Sequence, residues 1–219
     1  EVGDIVSNVC VKDGVVGFTA SGNDGNAVIA VKDAAGDILW SWHIWVCKGF
    51  DPIATAQVYK NNAGTVMDRN LGATSSTKGD VRSLGLLYQW GRKDPFLSGQ
   101  SINSSTPAKS TITWPSKVSS NSSDYGTIDY VVKHPTTFVT GNSRNGDWYN
   151  STTVQTRWDS SKGMYDPCPN GWKVPDGGKN GLWGLTLGYS VFGTQGPRDA
   201  TNKGMNFTGS LIAASNVWY

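Results

Sequence analysis

Residues 38–47 read ILWSWHIWVC, ten positions without a formal charge and with three tryptophans. This run constrains the fold more than any other part of the chain. It falls well short of the about 20 residues that a membrane-spanning helix needs. Read as a strand, it places Leu39, Ser41, His43 and Trp45 on one face and Trp40, Trp42, Ile44 and Val46 on the other. The second face is the more apolar and is expected to be buried. Residues 27–31, AVIAV, form a shorter apolar strand before it, and Ala34-Ala35-Gly36-Asp37 turns the chain between the two.

The rest of the chain is made for turns. There are 27 glycines in 219 residues, and Glu1 is the sole glutamate, the other sixteen acids being aspartate. Helix formers are few and turn formers many. The missing glutamates exclude a Glu-dependent metalloprotease or a Glu/Glu glycosidase. No H-E-x-x-H, P-loop or dinucleotide fingerprint occurs. With 19 basic against 17 acidic residues, no basic excess of the kind that grips nucleic acid is present. Ten Trp, eight Tyr and six Phe can build a substantial core, since each ring buries roughly 150–250 Å² when interior. The length suits one large domain or two small ones.

Along the chain, residues 9–18 read as a hairpin around Asp13-Gly14, and residues 58–67 as another around Asn61-Asn62-Ala63-Gly64. Residues 80–90 carry the strongest helical pattern. Asp80 can cap it, Val81, Leu84, Leu87 and Tyr88 share a face, and Gly91 stops it. Residues 98–123 are a long polar excursion. Residues 127–133 suggest a short helix that His134-Pro135 ends. Residues 177–194 are apolar and broken by glycine. Trp40, Trp42, Trp90 and Trp172 are expected in the core.

The three cysteines show neither CxxC nor zinc spacing. Cys10 and Cys47 lie in apolar, strand-like runs and are expected close enough to bridge, with buried free thiols as the alternative. Cys168 is expected to be unpaired. The apolar close on Val217-Trp218-Tyr219 gives the impression of a piece of a longer protein.

Residues 165–175, YDPCPNGWKVP, resemble the D-P-C-P-x-G-W-[RK]-V-P signature of the Fibrobacter succinogenes major paralogous domain. Residues 25–33 and 38–46, Met67-Asp68-Arg69-Asn70-Leu71-Gly72-Ala73, residues 85–96, His134-Pro135-Thr136-Thr137-Phe138, Asp147-Trp148-Tyr149 and Gly181-Leu182-Trp183 follow in the family's order. The resemblance covers residues 25–219. It leaves residues 1–24 as an N-terminal hairpin and linker from an upstream region. It implies an α+β, C-type-lectin-like fold, with a mixed, mostly antiparallel sheet, one or two helices and long loops. It also implies a cell-surface or secreted, outer-membrane-associated protein of Bacteroidota-like bacteria, often fimbrillin-like and lipoprotein-anchored. In the family the chain continues past a Y-W-S phrase to a late cysteine, a plausible partner for Cys168. This chain stops before it, so the domain is expected to be truncated at its C-terminal end.

Several clusters carry possible chemistry. Asp68-Arg69-Asn70 suits a ligand site or, equally, a buried ion pair fixing a loop. The two prolines of Asp166-Pro167-Cys168-Pro169 preset φ and lock a turn. The Trp-rich strand could stack sugars, but its periodicity favours a buried strand, and His43 has no nucleophile motif beside it. Asp24-Gly25-Asn26 and Asn145-Gly146-Asp147 do not complete a calcium loop, and the sugar-calcium phrases of calcium-dependent lectins are missing. Hence no catalytic residue, metal ligand or cofactor is assigned. The expected ligand-binding residues are Asp147, Trp148, Tyr149, Arg157, Trp158 and Trp183. Flat rings stack on apolar faces while aspartate binds hydroxyls. These loop rings should line one end of the domain and be more exposed than the strand tryptophans; rings that merely anchor loops are the alternative. The expected function is non-enzymatic recognition or adhesion at the cell surface, with a glycan or surface protein as partner, a pilus subunit included. No nucleic acid and no membrane span belong to this piece. A structural pilus or stalk subunit is the alternative, and a glycan-active enzyme using two aspartates a weaker one.

Overall fold

The computed structural model describes residues 4–59, 61–77, 80–98, 116–121, 124–141, 148–150, 157–158, 160–176 and 180–187, with Trp183 and Leu187 described by their backbones alone. Its strands form small sheets of two, four antiparallel and one parallel, with few helices. The one larger mixed sheet expected from the sequence is not assembled among these residues.

β1 (Val6–Lys12) and β2 (Val15–Ala20) pair across Asp13 and Gly14, at φ 52° and 76°. Two consecutive positive φ values make the turn whose twist matches a two-residue hairpin. Most of this hairpin's apolar side chains face solvent, among them Val9, Val11, Val15 and Phe18.

β3 (Gly25–Lys32) and β4 (Ile38–Val46) pair with Asn26 opposite Trp45, Val28 opposite His43 and Ala30 opposite Ser41. The burial of β4 differs from its apolarity pattern. Ser41 is fully buried, whereas Trp40, Trp42, Ile44 and Val46 are half-buried. The cause is an ion pair. Lys93 Nζ lies 2.8 Å from Asp94 Oδ1, both side chains nearly buried. Ser41 completes it, its hydroxyl donating to Asp94 Oδ1 at 2.6 Å while its carbonyl and hydroxyl oxygens accept from Lys93 Nζ. The same ammonium sits 4.3 Å from the centre of the Trp40 ring. Two charges withdrawn from water need their hydrogen bonds completed by neighbours, and a small hydroxyl on β4 does so.

β5 (Gln57–Tyr59) and β6 (Gly64–Val66) form the second expected hairpin, with Asn61 and Asn62 both at positive φ. The helix expected over residues 80–90 is not formed. Asp80 does cap, its carboxylate accepting from Arg82 N, but the helix lasts one 3-10 turn, Val81–Ser83. Gly85 then adopts φ +68°, and a Cβ there would lie 2.5 Å from the Leu71 carbonyl. That close approach lets Leu86 N donate to Leu71 O at 2.8 Å. The chain becomes strand β7 (Leu86–Tyr88), paired with β8 (Pro95–Leu97). Trp90, expected in the core, is 44% exposed, and Trp172 is half-buried.

β9 (Ser116–Ser119) emerges from the long polar excursion and pairs in parallel with β10 (Thr137–Thr140). Between them α1 (Ile128–Lys133) starts at Thr127, whose hydroxyl accepts from Tyr130 N, and ends at His134 as the sequence suggests. Val131, Val139 and Trp148 form a buried cluster, flanked by Val118, Ile128, Tyr130 and Tyr149. Arg92, 1% exposed, joins β7–β8 to this layer. Its guanidinium donates to Gln89 Oε1, Thr137 O, Pro135 O and His134 O. α2 (Leu182–Leu187) follows the turn region. No helix among the described residues is long and apolar enough to cross a membrane.

All three cysteines are free thiols, Cys10 exposed and Cys47 and Cys168 half-buried. The expected Cys10–Cys47 bridge is not formed. Cys10 lies opposite Gly17 on the exposed hairpin, whereas Cys47 accepts a contact from Arg69 Nη1 at 3.3 Å. Arg69 is itself held two-fold by Asp68, at 2.7 and 3.0 Å, and stacks 4.0 Å from the centre of Phe50. Asp68-Arg69 is therefore a loop-fixing ion pair.

Candidate functional site

Of the loop residues expected to bind ligand, Trp148 and Arg157 come together beside Tyr149, but as buried residues. Trp148 is 3% exposed, and its Nε1 donates to Trp90 O at 2.6 Å. Arg157 is buried, donates Nε to Gly91 O at 3.0 Å, and lies within 5.3 Å of the centres of Trp90, Trp148 and Tyr149. Gly91 has φ +75°, and any Cβ there would strike this guanidinium. An arginine stacked on three rings and bonded to a carbonyl anchors loops. Trp158 is half-buried, with Nε1 bonded to Tyr165 O. Trp183 lies on α2. Asp147 and the Trp183 side chain lie outside the described residues. The expectation of an exposed ring cluster is thus overturned at Trp148 and Arg157.

The structure instead opens a cleft of about 280 Å³ lined by His43, Trp45, Leu71, Pro167, Cys168 and Pro169. Its two sides come from distant segments. β4 supplies His43 and Trp45 from one face. The other side is the D-P-C-P turn, which Asp166 organises. The Asp166 carboxylate accepts from Cys168 N at 2.9 Å, Val174 N at 2.8 Å and Lys162 Nζ at 3.0 Å. Two prolines and these bonds fix the position of Cys168.

His43 is held from both nitrogens. Asn26 Nδ2 donates to Gly72 O, which turns Asn26 Oδ1 toward the imidazole at 2.9 Å. Because Oδ1 only accepts, His43 Nε2 carries the proton, and Nδ1 accepts from the Tyr88 hydroxyl at 3.0 Å. Burial pushes the imidazole down to about 4. Burial first, and then the neighbouring Asp166 carboxylate, pushes the Cys168 thiol up to about 12. Burial likewise raises the Tyr88 hydroxyl well above its ordinary value.

No family model, curated protein or solved structure matches the chain. The cleft's chemistry therefore stands on its own geometry. A thiol and an imidazole facing one cavity suggest a nucleophile and its base, a pairing the sequence did not reveal. Such a pair needs a thiolate, and here the proton stays on sulfur while both imidazole nitrogens are engaged. Among the described residues no group of three His, Cys, Asp or Glu side chains could hold a metal. What the cleft offers is shape, with apolar walls and polar atoms that are mostly already hydrogen-bonded.

The buried imidazole has a consequence for stability. Unfolded, His43 takes up a proton near its ordinary 6.5; folded, it refuses one until about 4. Its contribution is fully present above pH 6.5 and is lost as the pH falls toward 4, by up to about 3 kcal/mol. Urea unfolding at pH 7 and 4.5 should show a steeper loss for the native chain than for His43→Gln. Equal slopes would mean that His43 is not held neutral.

Proposed function

We propose that this chain is a non-enzymatic recognition or adhesion domain of the cell surface, and that it meets its glycan or protein partner at the His43–Cys168 cleft. We further place it in the Fibrobacter succinogenes major paralogous domain family, as a C-type-lectin-like fold of a secreted or outer-membrane-associated protein. The observation that carries the reading is the cleft itself: a ring-lined cavity between β4 and a rigid turn, in which the available acid–base groups are locked in unreactive states. Pockets with a few fixed polar groups among apolar walls are the usual form of binding sites. The small, mostly antiparallel sheets with few helices agree with the α+β class.

The test is an array of glycans, mucins and bacterial surface proteins, probed with the native chain and with Leu71→Trp, whose larger ring fills the cleft. Binding by the native chain that the folded variant loses would support the reading. Binding retained in full by that variant would overturn it. One observation favours the alternative of a structural pilus or stalk subunit. The β1–β2 hairpin exposes Val9, Val11, Val15 and Phe18 and pairs with no third strand among the described residues. Such edges invite pairing with another chain. Self-assembly in sedimentation, with no array binding, would favour that alternative.

A further inference from the structure

We infer that the His43–Cys168 cleft takes a neutral, apolar ring system, an aromatic or indole-like group, rather than a sugar; the inference rests on reading this cleft as the recognition site. Three observations converge on it.

The first is an accounting of polar groups. His43 Nε2 is committed to Asn26 and Nδ1 to Tyr88. Trp45 Nε1 donates to Ala73 O. The carbonyl of Leu71 accepts from Leu86 N, that of Cys168 from Lys162 Nζ at 2.6 Å, and that of Pro169 from Trp172 N. Leu71, Pro167 and Pro169 have no polar side-chain atoms, and the Pro167 carbonyl is a lining acceptor that none of these bonds uses. The thiol of Cys168 is a weak donor and a weak acceptor. A sugar entering this cleft would strip water from its hydroxyls and find few replacements, which disfavours it. Sites that select a hydroxylated ligand present unspent polar groups to it.

The second is charge. The hydrogen bonds fix His43 as the neutral tautomer, burial keeps it and the Cys168 thiol uncharged at neutral pH, and no carboxylate or ammonium lines the cavity. An ionic ligand would lose its hydration and meet no counter-charge. A neutral one has no such cost.

The third is shape. The cavity of about 280 Å³ lies near the lower end of small-molecule sites, roughly 300–1,000 Å³. It has room for one ring system. An indole, an imidazole and two pyrrolidine rings provide the flat and edge surfaces against which another aromatic ring packs favourably.

The experiment uses Cys168 as the reporter. The native chain is treated with N-ethylmaleimide, with and without indole or methyl α-mannopyranoside, and labelling is followed at each cysteine by peptide mass spectrometry. Indole should slow labelling of Cys168 by about tenfold at about ten times its dissociation constant, as mass action requires. It should leave exposed Cys10 unchanged, and nuclear Overhauser contacts should connect indole protons to the Leu71 methyls. Protection of Cys168 by the mannoside, with or without protection by indole, would overturn the ligand class and leave recognition at the cleft standing. Protection by neither probe would overturn the ligand class; if Leu71→Trp also retains its binding on the array, recognition at the cleft falls with it. Indole protection without contacts to Leu71 would place the ligand elsewhere and overturn the inference.

Discussion

Replacing Trp148 by alanine is expected to remove about 3–5 kcal/mol of stability, the usual cost of truncating a buried tryptophan. The ring is 3% exposed and packs with Val131 and Val139. Its Nε1 donates to Trp90 O, and the Arg157 guanidinium lies 4.8 Å from its centre. Three losses act together: apolar burial, a part-buried hydrogen bond, and the surface on which a buried cation rests. Since a domain of this kind has only about 5–15 kcal/mol to lose, the variant should unfold at a much lower urea concentration. Trp148→Phe keeps most of the packing and should fall between the two. A Trp148→Ala chain as stable as the native one would mean that the ring is a surface group after all.

Arg92→Met should cost about 2–4 kcal/mol, a balance of two opposed effects. Burial pushes the Arg92 guanidinium down to about 10, so removing the charge relieves a penalty of roughly 3 kcal/mol. Against that, the carbonyls of Pro135 and Thr137 lose their donor, while Gln89 Oε1 and the His134 carbonyl each lose one of two, keeping Val139 N and Thr137 N. The two stranded acceptors cost roughly 1–3 kcal/mol each and the other two lost bonds about 0.5–1.5 kcal/mol each, so together they exceed the relief. Gln89 also bonds Val139 through both its amide atoms, so loosening it loosens β10. Arg92→Lys keeps the charge without the planar fork and should recover little. A urea midpoint for Arg92→Met equal to the native one would show that the desolvation penalty cancels the bonds.

Elements determined by local chemistry were legible in the sequence. The Asp13-Gly14 turn, the strands around residues 27–46, the Asn61-Asn62 turn and the Thr127-capped helix depend on neighbours in sequence. The helix expected over residues 80–90 failed because its outcome is set elsewhere. Leu71 approaches so closely that only a glycine at positive φ fits at position 85. The burial pattern of β4 was misread for a similar reason: Ser41 is drawn inward by Lys93 and Asp94, an ion pair no periodicity announces. Trp148 and Arg157 were read as binding residues because their segments look like loops. Their partners, the carbonyls of Trp90 and Gly91, are 58 and 66 residues away. The cleft was half visible. Its rigid turn was read as structural and His43 as a core histidine, both with reason, but nothing in the spacing indicated that the two face one cavity.

The most direct measurement is partner binding after selective blocking of the cleft. A surface ligand found on the array would be titrated against the Cys10→Ser/Cys47→Ser chain, with Cys168 either free or carrying a bulky maleimide, and with circular dichroism confirming that the fold is retained. Blocking Cys168 should abolish binding, because the adduct occupies the space between Trp45, Leu71 and the two prolines. Unchanged affinity in the blocked, folded chain would contradict recognition at this cleft.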